Sequence, residues 1–345
     1  PTTTDELYEL LVKVRDADAN GNGDANDEIG VTSNGLSNVL RAFTGAFGLN
    51  NRGREDLSVD ADPSDPTKIR FVYTCDSYRQ YLAYVAKLYQ EGLIDPELFE
   101  LSTAKMVAKG SQDMIFCLSY INCQAASVNA DDYVGLEVAL KGPNGDQQWN
   151  NMNKGVGLGA FAISPTCKDP ATLVRWIDSF YTDEGAKMFY FGKEGEDFYY
   201  DENGLPAYNQ EILDQVSTEN PYDKVISAIS PYASGTLPVL IKDEFFCGAE
   251  CRGVNLETAK NLEPYVNQII WKFNFTTEES EELSPLTADL ITNCHDVYRA
   301  KFIKGELDVN DDAAWQSYVD EMQSLGLERY IEIYQGALDR MQAQN

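Results

Sequence analysis

The stretch SYRQYLAYVAKLYQEGLIDPE (residues 77–97) decides the class of fold, because it contains one complete amphipathic helix and the signal that ends it. The apolar side chains that recur at helical spacing over 77–91 are Tyr81, Leu82, Val85 and Leu88. Gly92 follows them, where a glycine that ends a helix is expected. A further helix ending near Gly110 and an apolar run at 114–120 come next, and the run predicts a buried strand.

The same alternation extends in both directions from this stretch. Upstream, the sequence predicts a helix that starts at Thr4 or Asp5, a second helix within 31–48 and, after the Pro/Asp-rich turn 60–66, a short strand at 69–73. Downstream, it predicts two strands within 134–165, the second at 156–163, and helices at 170–181, 183–191, 286–303 and 312–342. Strands that alternate with helices predict an α/β protein with mainly parallel sheets.

The charge balance excludes several classes of partner. Asp and Glu number 56 against 27 Lys and Arg, which gives a formal net charge of −29. Nucleic acid and anionic membrane surfaces repel such a chain, and the sequence contains no cluster of Lys or Arg that would overcome the repulsion. We therefore expect no nucleic-acid partner, and a ligand that is neutral or cationic.

Cysteine, histidine and tryptophan add few constraints. None of the seven cysteines falls in a CxxC pair of the kind that zinc sites use. Cys247 and Cys251 are four residues apart, so they could form a disulfide or lie on one helical face. The single histidine, His295, is predicted to be a surface or packing residue, and Trp176 and Trp315 are predicted to lie in the core.

Catalytic motifs are missing from the sequence. It contains no GxSxG elbow, no Walker loop, no HExxH and no catalytic pairing of Cys with His. Glycosidases use pairs of carboxylates, but 56 acidic residues guarantee such pairs by chance. We therefore predict that the protein is not an enzyme and keep a glycoside-active enzyme as an alternative.

Several segments, in this order along the chain, carry a resemblance to a known family. They are TTDELY (3–8), the Asp/Asn/Gly loop 16–28, LYQEGLIDPE (88–97), VRWIDSFYTDEGA (174–186), GKEGED (192–197), YDENG (200–204), AKFIKGE (300–306) and GLERYIEIYQ (326–335). Together they resemble the family 1 extracellular solute-binding proteins, specifically the LplA-like lipoprotein branch. Each motif is weak by itself, and the resemblance depends on their order over the whole chain.

The resemblance implies the type 2 periplasmic-binding-protein fold, in which two α/β lobes are joined by a hinge. By analogy, residues 1–154 and 276–345 are expected to form the second lobe, and 155–275 part of the first lobe. The crossing between them is expected near Gly155–Gly159, where glycine lets the chain bend. The family's signal peptide, lipid-attachment cysteine and opening part of the first lobe precede anything that matches Pro1, so the first lobe is expected to be incomplete.

The function that the resemblance implies is capture of a solute outside the cell for an ABC importer. We expect the ligand to be a carbohydrate, in particular an oligosaccharide, with closure of the cleft around it and delivery to the permease subunits in the membrane. The resemblance also implies a monomer, held at the cell surface by a lipid anchor in the full-length protein. A calcium-dependent adhesion or scaffold module is the second alternative, besides the glycoside-active enzyme.

The loop DADANGNGDANDE (residues 16–28) has the alternating oxygen ligands and glycines of a calcium loop. Two registers fit the residues: one begins at Asp16 and ends at Asp27, and the other begins at Asp18. The ligands of the second register are Asp18, Asn20, Asn22, Asp24, Asn26, Asp27 and Glu28. The resemblance favours this second register, because related binders hold a structural calcium ion there. A solvated Asn/Gly-rich turn is the alternative.

Sugar binding requires aromatic rings and hydrogen-bonding groups, and five residues are candidates. Tyr120 follows the predicted strand, Trp149 lies among polar residues before the expected hinge, and Trp271 precedes the helix at 286–303. Each of these aromatics could instead be a half-buried packing residue. Glu194 and Asp197 could bind sugar hydroxyls or cap the adjacent turn, and we favour the turn.

Overall fold

A computed structural model describes the residues 1–51, 58–120, 123–127, 129, 132–150, 161–202, 204, 206–215, 220, 222–230, 239–240, 242, 253–267 and 273–343. The chain divides into two compact units. Unit 1 comprises Pro1–Tyr120, Ala126–Asn153 and Thr258–Asn345. Unit 2 comprises Ile121–Ala125 and Lys154–Glu257. None of the helices in the described ranges is both long enough and apolar enough to cross a membrane.

Unit 1 alternates helices and strands in its first part and is helical in its last. Its elements begin with α1 (Thr4–Arg15), β1 (Ile29–Thr32), α2 (Leu36–Thr44), β2 (Val59–Asp62), β3 (Asp65–Phe71), α3 (Asp76–Gln90), α4 (Thr103–Gly110) and β4 (Ile115–Leu118). The short helix α5 (Cys123–Ala126) spans the boundary between the units. The helix near 31–48 and the strand near 69–73 are thus confirmed, with the strand starting earlier than predicted.

The buried face of α3 is the one that its sequence predicts. Tyr81, Leu82, Val85 and Leu88 are each at most 2% exposed. Phe47 packs edge-on against Tyr81, with ring centroids 5.8 Å apart. Because the apolar side chains fall on one face at a period of 3.6 residues, local sequence specifies the apolar face, and distant elements such as α12 cover it in the core of unit 1.

The strands pair differently from the expected pattern of mainly parallel sheets. β1 and β4 are parallel, with Ile29 opposite Ile115 and Val31 opposite Cys117. β2 and β3 form an antiparallel hairpin across the Pro/Asp-rich turn. In unit 2, β5 (Phe198–Tyr200) and β6 (Pro206–Tyr208) are also antiparallel. Among the described strands the expectation is therefore wrong, because the short connections 63–64 and 201–205 can only join antiparallel neighbours.

The strand predicted within 134–165, before the Gly/Pro turn, is wrong as well. Residues 132–140 are irregular, and Lys141 makes a single bridge to Thr3. The Lys141 N–H donates to the carbonyl oxygen of Thr2 at 2.9 Å, so its backbone pairs with the start of α1 and not with a strand. Of the glycine-rich strand predicted at 156–163, residues 156–160 and the expected hinge at Gly155–Gly159 lie outside the described residues, and 161–163 are irregular.

The predicted helix at 286–303 is confirmed and is longer than expected. Helix α11 (Thr277–Thr287) continues through a π-helical segment (Ala288–His295) into α12 (Asp296–Lys304). A capping box between Thr276 and Glu279 starts it, because each side chain binds the other residue's backbone N–H. Gly305, in the left-handed region at φ +76°, ends it. The helices α13 (Asp312–Ser324) and α14 (Leu327–Gln342) complete unit 1.

Unit 2 has a smaller core of its own. Its helices are α6 (Pro170–Asp178), α7 (Asp183–Phe191), α8 (Gln210–Leu213), α9 (Tyr222–Ser227) and, reaching into unit 1, α10 (Gly253–Leu262). Tyr190, Phe191 and Phe198 are at most 2% exposed at its centre. Helix α6 has no buried residue, so the prediction of a core position for Trp176 is wrong, because 55% of this residue is exposed. Trp315 is 7% exposed and does lie in the core of unit 1.

Candidate functional site

The carboxyl ends of β1 and β4 form a polar edge in unit 1. The two strands are parallel, so the residues that follow them emerge side by side. Ser33 and Asn34 follow β1, and Ser119 and Tyr120 follow β4. We call these four residues the β1–β4 edge. In open α/β sheets, ligands bind at this end of the strands, and hydroxyls, an amide and an aromatic ring are groups that recognise sugars.

Hydrogen bonds hold the β1–β4 edge together. Ser33 Oγ donates to the carbonyl oxygen of Ser119 at 2.5 Å, and Ser119 Oγ donates to that of Asn38 at 2.9 Å. The Asn38 side-chain amide in turn donates to Oδ1 of Asn34. The ends of both strands and the first turn of α2 are therefore fixed relative to one another before any ligand arrives, which reduces the ordering cost of binding.

Tyr120 is half-buried at this edge. It packs beside a small apolar cluster of Met106, Ile115 and Ala126. The structure therefore places the predicted ligand-binding aromatic at the carboxyl end of a strand, with part of its ring covered by apolar side chains.

Trp149 lies at the far end of α2 from the β1–β4 edge. The N–H of Gln148, its neighbour, donates to the carbonyl oxygen of Gly45 at 3.2 Å, just beyond the end of α2. The Trp149 backbone N–H donates to the carbonyl oxygen of Tyr265 at 2.9 Å. Since α2 has nine residues and a helix rises 1.5 Å per residue, about 13 Å of helix separates this segment from the edge.

The remaining candidates belong to unit 2 or lie outside the described residues. Glu194 is exposed, whereas Asp197 is partly buried and accepts a hydrogen bond from the Lys193 N–H to its Oδ2 at 2.8 Å. Asp197 also accepts a bond from the Asn209 N–H to its backbone carbonyl at 3.1 Å. Asp197 thus makes the contacts of a turn-capping residue. Trp271 lies outside the described residues.

The loop 16–28 follows α1 and leads directly into β1. The Gly23 N–H donates to Asp18 Oδ2 at 2.9 Å, and Gly23 takes the left-handed φ of +96°. The side-chain oxygens of Asn20 and Asn22 each accept from the backbone N–H two residues on, at 3.0 and 2.7 Å. The first position thus faces the glycine at the sixth, as a calcium loop that begins at Asp18 requires.

Two carboxylate oxygens in this loop are buried without a hydrogen-bond partner, namely Asp27 Oδ1 and Glu28 Oε2. Buried carboxylate oxygens are costly unless a hydrogen bond or a metal ion satisfies them, and hard oxygen ligands are those that calcium prefers. The other oxygen of Glu28 accepts from the Ala19 N–H at 2.6 Å. Within the described part of the chain, however, no three His, Cys, Asp or Glu side chains already converge as a metal-binding group.

Asp16 has a different partner. Its two carboxylate oxygens bind the Arg15 guanidinium at 2.8 and 3.1 Å, and this hydrogen-bonded pairing lowers the pKa of Asp16 below its usual value. An oxygen already held by a guanidinium is a poor metal ligand. Of the two registers that the sequence allows, the geometry supports the one that begins at Asp18.

The loop also contacts the turn before β4. The Asn20 side-chain amide donates to the carbonyl oxygen of Asp113 at 3.1 Å. Asp113 takes a positive φ of 59°, and the next residue's carbonyl accepts from the Ile29 N–H at 2.8 Å. The loop and the start of the β1–β4 pair are thus joined by side-chain and backbone hydrogen bonds.

Sequence reasoning missed most of the β1–β4 edge. Ser33, Asn34 and Ser119 were not candidates: Ser119 lies within the predicted apolar run 114–120, whereas the strand β1 that precedes Ser33 and Asn34 was not predicted. A signal was present, because polar residues immediately after buried strands are the ones that parallel pairing gathers at one edge. Only the pairing of β1 with β4 shows that these residues belong together.

Comparison with curated proteins gives one relative over nearly the whole chain. The chain is 25% identical, over 358 aligned residues, to the fructooligosaccharide ABC transporter substrate-binding protein FusA of Streptococcus pneumoniae serotype 4. This alignment covers 99% of the chain and 63% of FusA, so the chain spans less than two thirds of that relative's length. Lipoprotein LipO of Bacillus subtilis is 30% identical over 161 residues, which are 42% of the chain and 30% of LipO.

Solved structures give the same fold. The match to the alginate-binding protein AlgQ2, crystallised without calcium ion, covers 98% of this chain and 68% of the AlgQ2 chain. Its TM-score is 0.71 and the sequence identity is 18%. The match to S. pneumoniae FusA in complex with kestose covers 100% of this chain and 69% of the FusA chain. Its TM-score is 0.68 and the sequence identity is 22%. No family model matches the chain.

The chain therefore has the α/β fold of the solute-binding proteins, and the predicted fold class is confirmed. In sequence and in fold it is related to the extracellular solute-binding proteins of ABC transporters, as its ordered motifs predict.

Proposed function

We propose that this chain is the greater part of an extracellular solute-binding protein that captures an oligosaccharide for an ABC importer and does not transform it. The observation that supports this most is the similarity to FusA over 99% of the chain, since FusA is named for transport of fructooligosaccharide. The sequence motifs and the polar β1–β4 edge agree with it. The alternatives, a glycoside-active enzyme and a calcium-dependent adhesion module, have no comparable observation in their favour.

In this proposal the β1–β4 edge supplies part of the ligand site. The ring of Tyr120 would stack on the apolar face of a sugar, and the side chains of Asn34 and Ser119 would exchange hydrogen bonds with its hydroxyls. Ser33 is 0% exposed and would support the edge through its hydrogen bond to Ser119. A neutral sugar suits a chain with a net charge of −29, because an uncharged ligand is not repelled by the acidic chain and needs no charged residue to bind it. From their sequence context, Trp149 and Trp271 remain proposed contacts, whereas for Glu194 and Asp197 capping of the turn is the favoured role.

The lobe assignment and the cellular context complete the proposal. Residues 1–154 and 276–345 would form one lobe and 155–275 part of the other, with closure around the ligand. The full-length protein would be lipid-anchored at the cell surface and would act as a monomer that hands its ligand to the permease. These points follow from the resemblance alone.

We also propose that the loop 16–28 binds one structural calcium ion, with Asp18 as the first ligand. The supporting observation is the pair of buried oxygens, Asp27 Oδ1 and Glu28 Oε2, that have no hydrogen-bond partner. Calcium there would tie the end of α1 to β1, and its chemical contribution would be charge neutralisation of the clustered carboxylates. An EF-hand variant of FusA crystallised with fructo-nystose is among the matched structures, which agrees with a calcium loop in a relative.

Isothermal titration calorimetry with a panel of neutral oligosaccharides, in calcium-containing buffer, tests the proposal. We expect saturable binding of at least one fructan or other oligosaccharide and no release of smaller sugars on prolonged incubation, followed by chromatography. Accumulation of hydrolysis products would favour the enzyme. Binding of a protein or polysaccharide surface without any response to oligosaccharides would favour the adhesion module.

A further inference from the structure

A cavity of about 50 Å³ lies in unit 1 between α2, the turn 72–74, α3 and α12. Two guanidinium groups line it, those of Arg41 on α2 and Arg299 on α12. Tyr73, Tyr78 and Tyr81 also line it, together with Ser37, Leu40, Thr44, Leu49, Asn50 and Val72. None of the described residues that line the cavity is acidic, although the chain as a whole carries a net charge of −29.

The guanidinium group of Arg299 has one hydrogen-bond donor without a partner. Its side chain is 19% exposed, and its Nη2 contacts Asp296 Oδ1 at 2.9 Å. Its Nε is buried and has no hydrogen-bond partner. A buried donor without a partner is costly, so an acceptor that reached this Nε would be stabilising.

The hydroxyls of Tyr78 and Tyr81 have their own hydrogen-bond partners and carry no charge. Tyr81 donates to the carbonyl oxygen of Leu40 at 3.1 Å, and the Tyr78 hydroxyl lies 3.4 Å from Nε2 of His295. Burial raises the pKa of both phenols, so they stay neutral and add no negative charge. Among the described residues that line the cavity, the two guanidinium groups are therefore the charged groups, and the phenol rings are neutral.

Its size limits the ligand. One water needs roughly 10–15 Å³ of such space, so about 50 Å³ admits an ion of a few heavy atoms but excludes a sugar ring. Guanidinium groups bind planar or tetrahedral oxyanions through paired hydrogen bonds that spherical anions cannot make. The oligosaccharide of the proposed function thus cannot be the occupant.

We propose that this cavity is a binding site for one small oxyanion, a carboxylate or phosphate group, held between Arg41 and Arg299. The site is separate from the β1–β4 edge in its chemistry, because it selects negative charge. A bound oxyanion would join α2 to α12 through its two guanidinium partners.

Calorimetry of the whole chain tests this proposal at constant ionic strength, with inorganic phosphate, acetate and chloride titrated separately. We expect saturable 1:1 binding of phosphate, of acetate or of both. The more tightly bound of the two identifies the group. Absence of saturable binding by both phosphate and acetate, or binding of chloride alone, would overturn the proposal.

Variants locate the binding. Arg41→Gln and Arg299→Gln should each weaken it by about tenfold or more, since each removes one charge-assisted partner. Arg175→Gln, which makes the same charge change on exposed helix α6, should leave it unaltered. If Arg299→Gln does not fold, Arg41→Gln decides alone. Binding that survives Arg41→Gln unchanged would place the anion elsewhere and refute the site.

Discussion

Thr32 donates a hydrogen bond from Oγ1 to Oδ2 of Asp95 at 2.7 Å, and neither residue is exposed to solvent. Lys109 Nζ contacts both oxygens of the same carboxylate at 2.8 Å, and its side chain is 15% exposed. Three separate elements, the end of β1, the turn after α3 and the helix α4, therefore meet at one carboxylate. Because Ser33 directly follows Thr32, the last residue of β1, this contact also fixes the start of the β1–β4 edge.

Replacing Asp95 should destabilise the protein strongly. The variant Asp95→Ala leaves the Lys109 ammonium and the Thr32 hydroxyl without their buried partner, so we expect the free energy of unfolding to fall by about 3 kcal/mol. Urea denaturation followed by circular dichroism measures it. Glu97→Ala is the matched control, because it removes the other carboxylate that contacts Lys109. The Glu97 side chain is 43% exposed. That control should cost far less, because water screens an exposed ion pair. Equal losses in the two variants would contradict the importance of burial here.

The single histidine should stay neutral well below its usual pKa. Tyr318 donates its hydroxyl proton to the carbonyl oxygen of Tyr73 at 3.2 Å, so His295 Nδ1, 3.2 Å from that hydroxyl, carries the proton. His295 stacks on Tyr73 with ring centroids 3.7 Å apart. Burial, and secondarily the Arg299 charge, lower its pKa well below the ordinary value.

A depressed folded-state pKa means that the unfolded chain takes up the proton first. The contribution to stability is complete above an unfolded pKa of about 6.5 and is lost as the pH falls from there towards the folded pKa, by about 1.4 kcal/mol per pH unit. The one imidazole signal in the proton NMR spectrum should not titrate between pH 7.5 and 5.5. A midpoint near 6.5 in the folded protein would show that the ring is accessible. His295→Phe should flatten the corresponding pH dependence of unfolding.

Two tryptophans should differ sharply in their contribution to stability. Trp315 lies in the core of unit 1, 5.2 Å between ring centroids from Tyr318, and Trp315→Ala should cost about 3–5 kcal/mol through the cavity it leaves. Trp176 is 55% exposed and makes a ring contact with Phe180, so Trp176→Ala should cost less than about 1 kcal/mol. Thermal unfolding of both variants measures this. A larger loss from Trp176→Ala would mean that its face of α6 is covered in solution.

The register of the calcium loop can be decided with two conservative variants. Glu28→Gln removes the carboxylate whose Oε2 is buried without a partner, and should weaken calcium binding by about tenfold or more. Asp16→Asn should leave calcium affinity unchanged, because that carboxylate is bound to Arg15. Calcium titration followed by the shift in melting temperature measures both. Loss of binding in Asp16→Asn alone would select the register that begins at Asp16.

Tyr120 should contribute to oligosaccharide affinity through its ring. Tyr120→Ala should lower the affinity by about tenfold, whereas Tyr120→Phe should keep most of it, because stacking needs the ring and not the hydroxyl. Calorimetry with the best ligand from the oligosaccharide panel measures both variants. The same measurement on Trp149→Ala, at the other end of α2, tests the second proposed aromatic contact. If Tyr120→Ala binds as the unmodified chain does, the β1–β4 edge is not the ligand site.

Local patterns predicted the helices well. Helix α3, and residues 286–303 of the longer helix that begins at Thr277, were predictable because a face that repeats every 3.6 residues needs only neighbouring sequence. The core position predicted for Trp176 failed for a related reason. An amphipathic pattern identifies the apolar face of a helix, but it does not say whether another part of the protein covers that face.

The strands and the site were less predictable, because their partners lie far away in the sequence. The apolar run at 114–120 predicted a strand, and its carboxyl end did point to Tyr120. Nothing local indicated that β1 would pair with it, so Ser33, Asn34 and Ser119 could not be assembled into an edge. The proposed calcium loop could be recognised as a candidate for the opposite reason, since its proposed ligands all lie within eleven consecutive residues.

The pairing of β1 with β4 has a kinetic consequence. The Ser33–Ser119 hydrogen bond joins residues 86 positions apart, so forming it closes a long loop, whereas the turn at 16–28 and helix α3 need only short-range contacts. During folding, the loop 16–28 and α3 should therefore acquire structure before the β1–β4 edge exists. Under the proposed function, the chain would bind calcium before it could hold its ligand, and the Asn20 amide bond to Asp113 would then guide β4 into register.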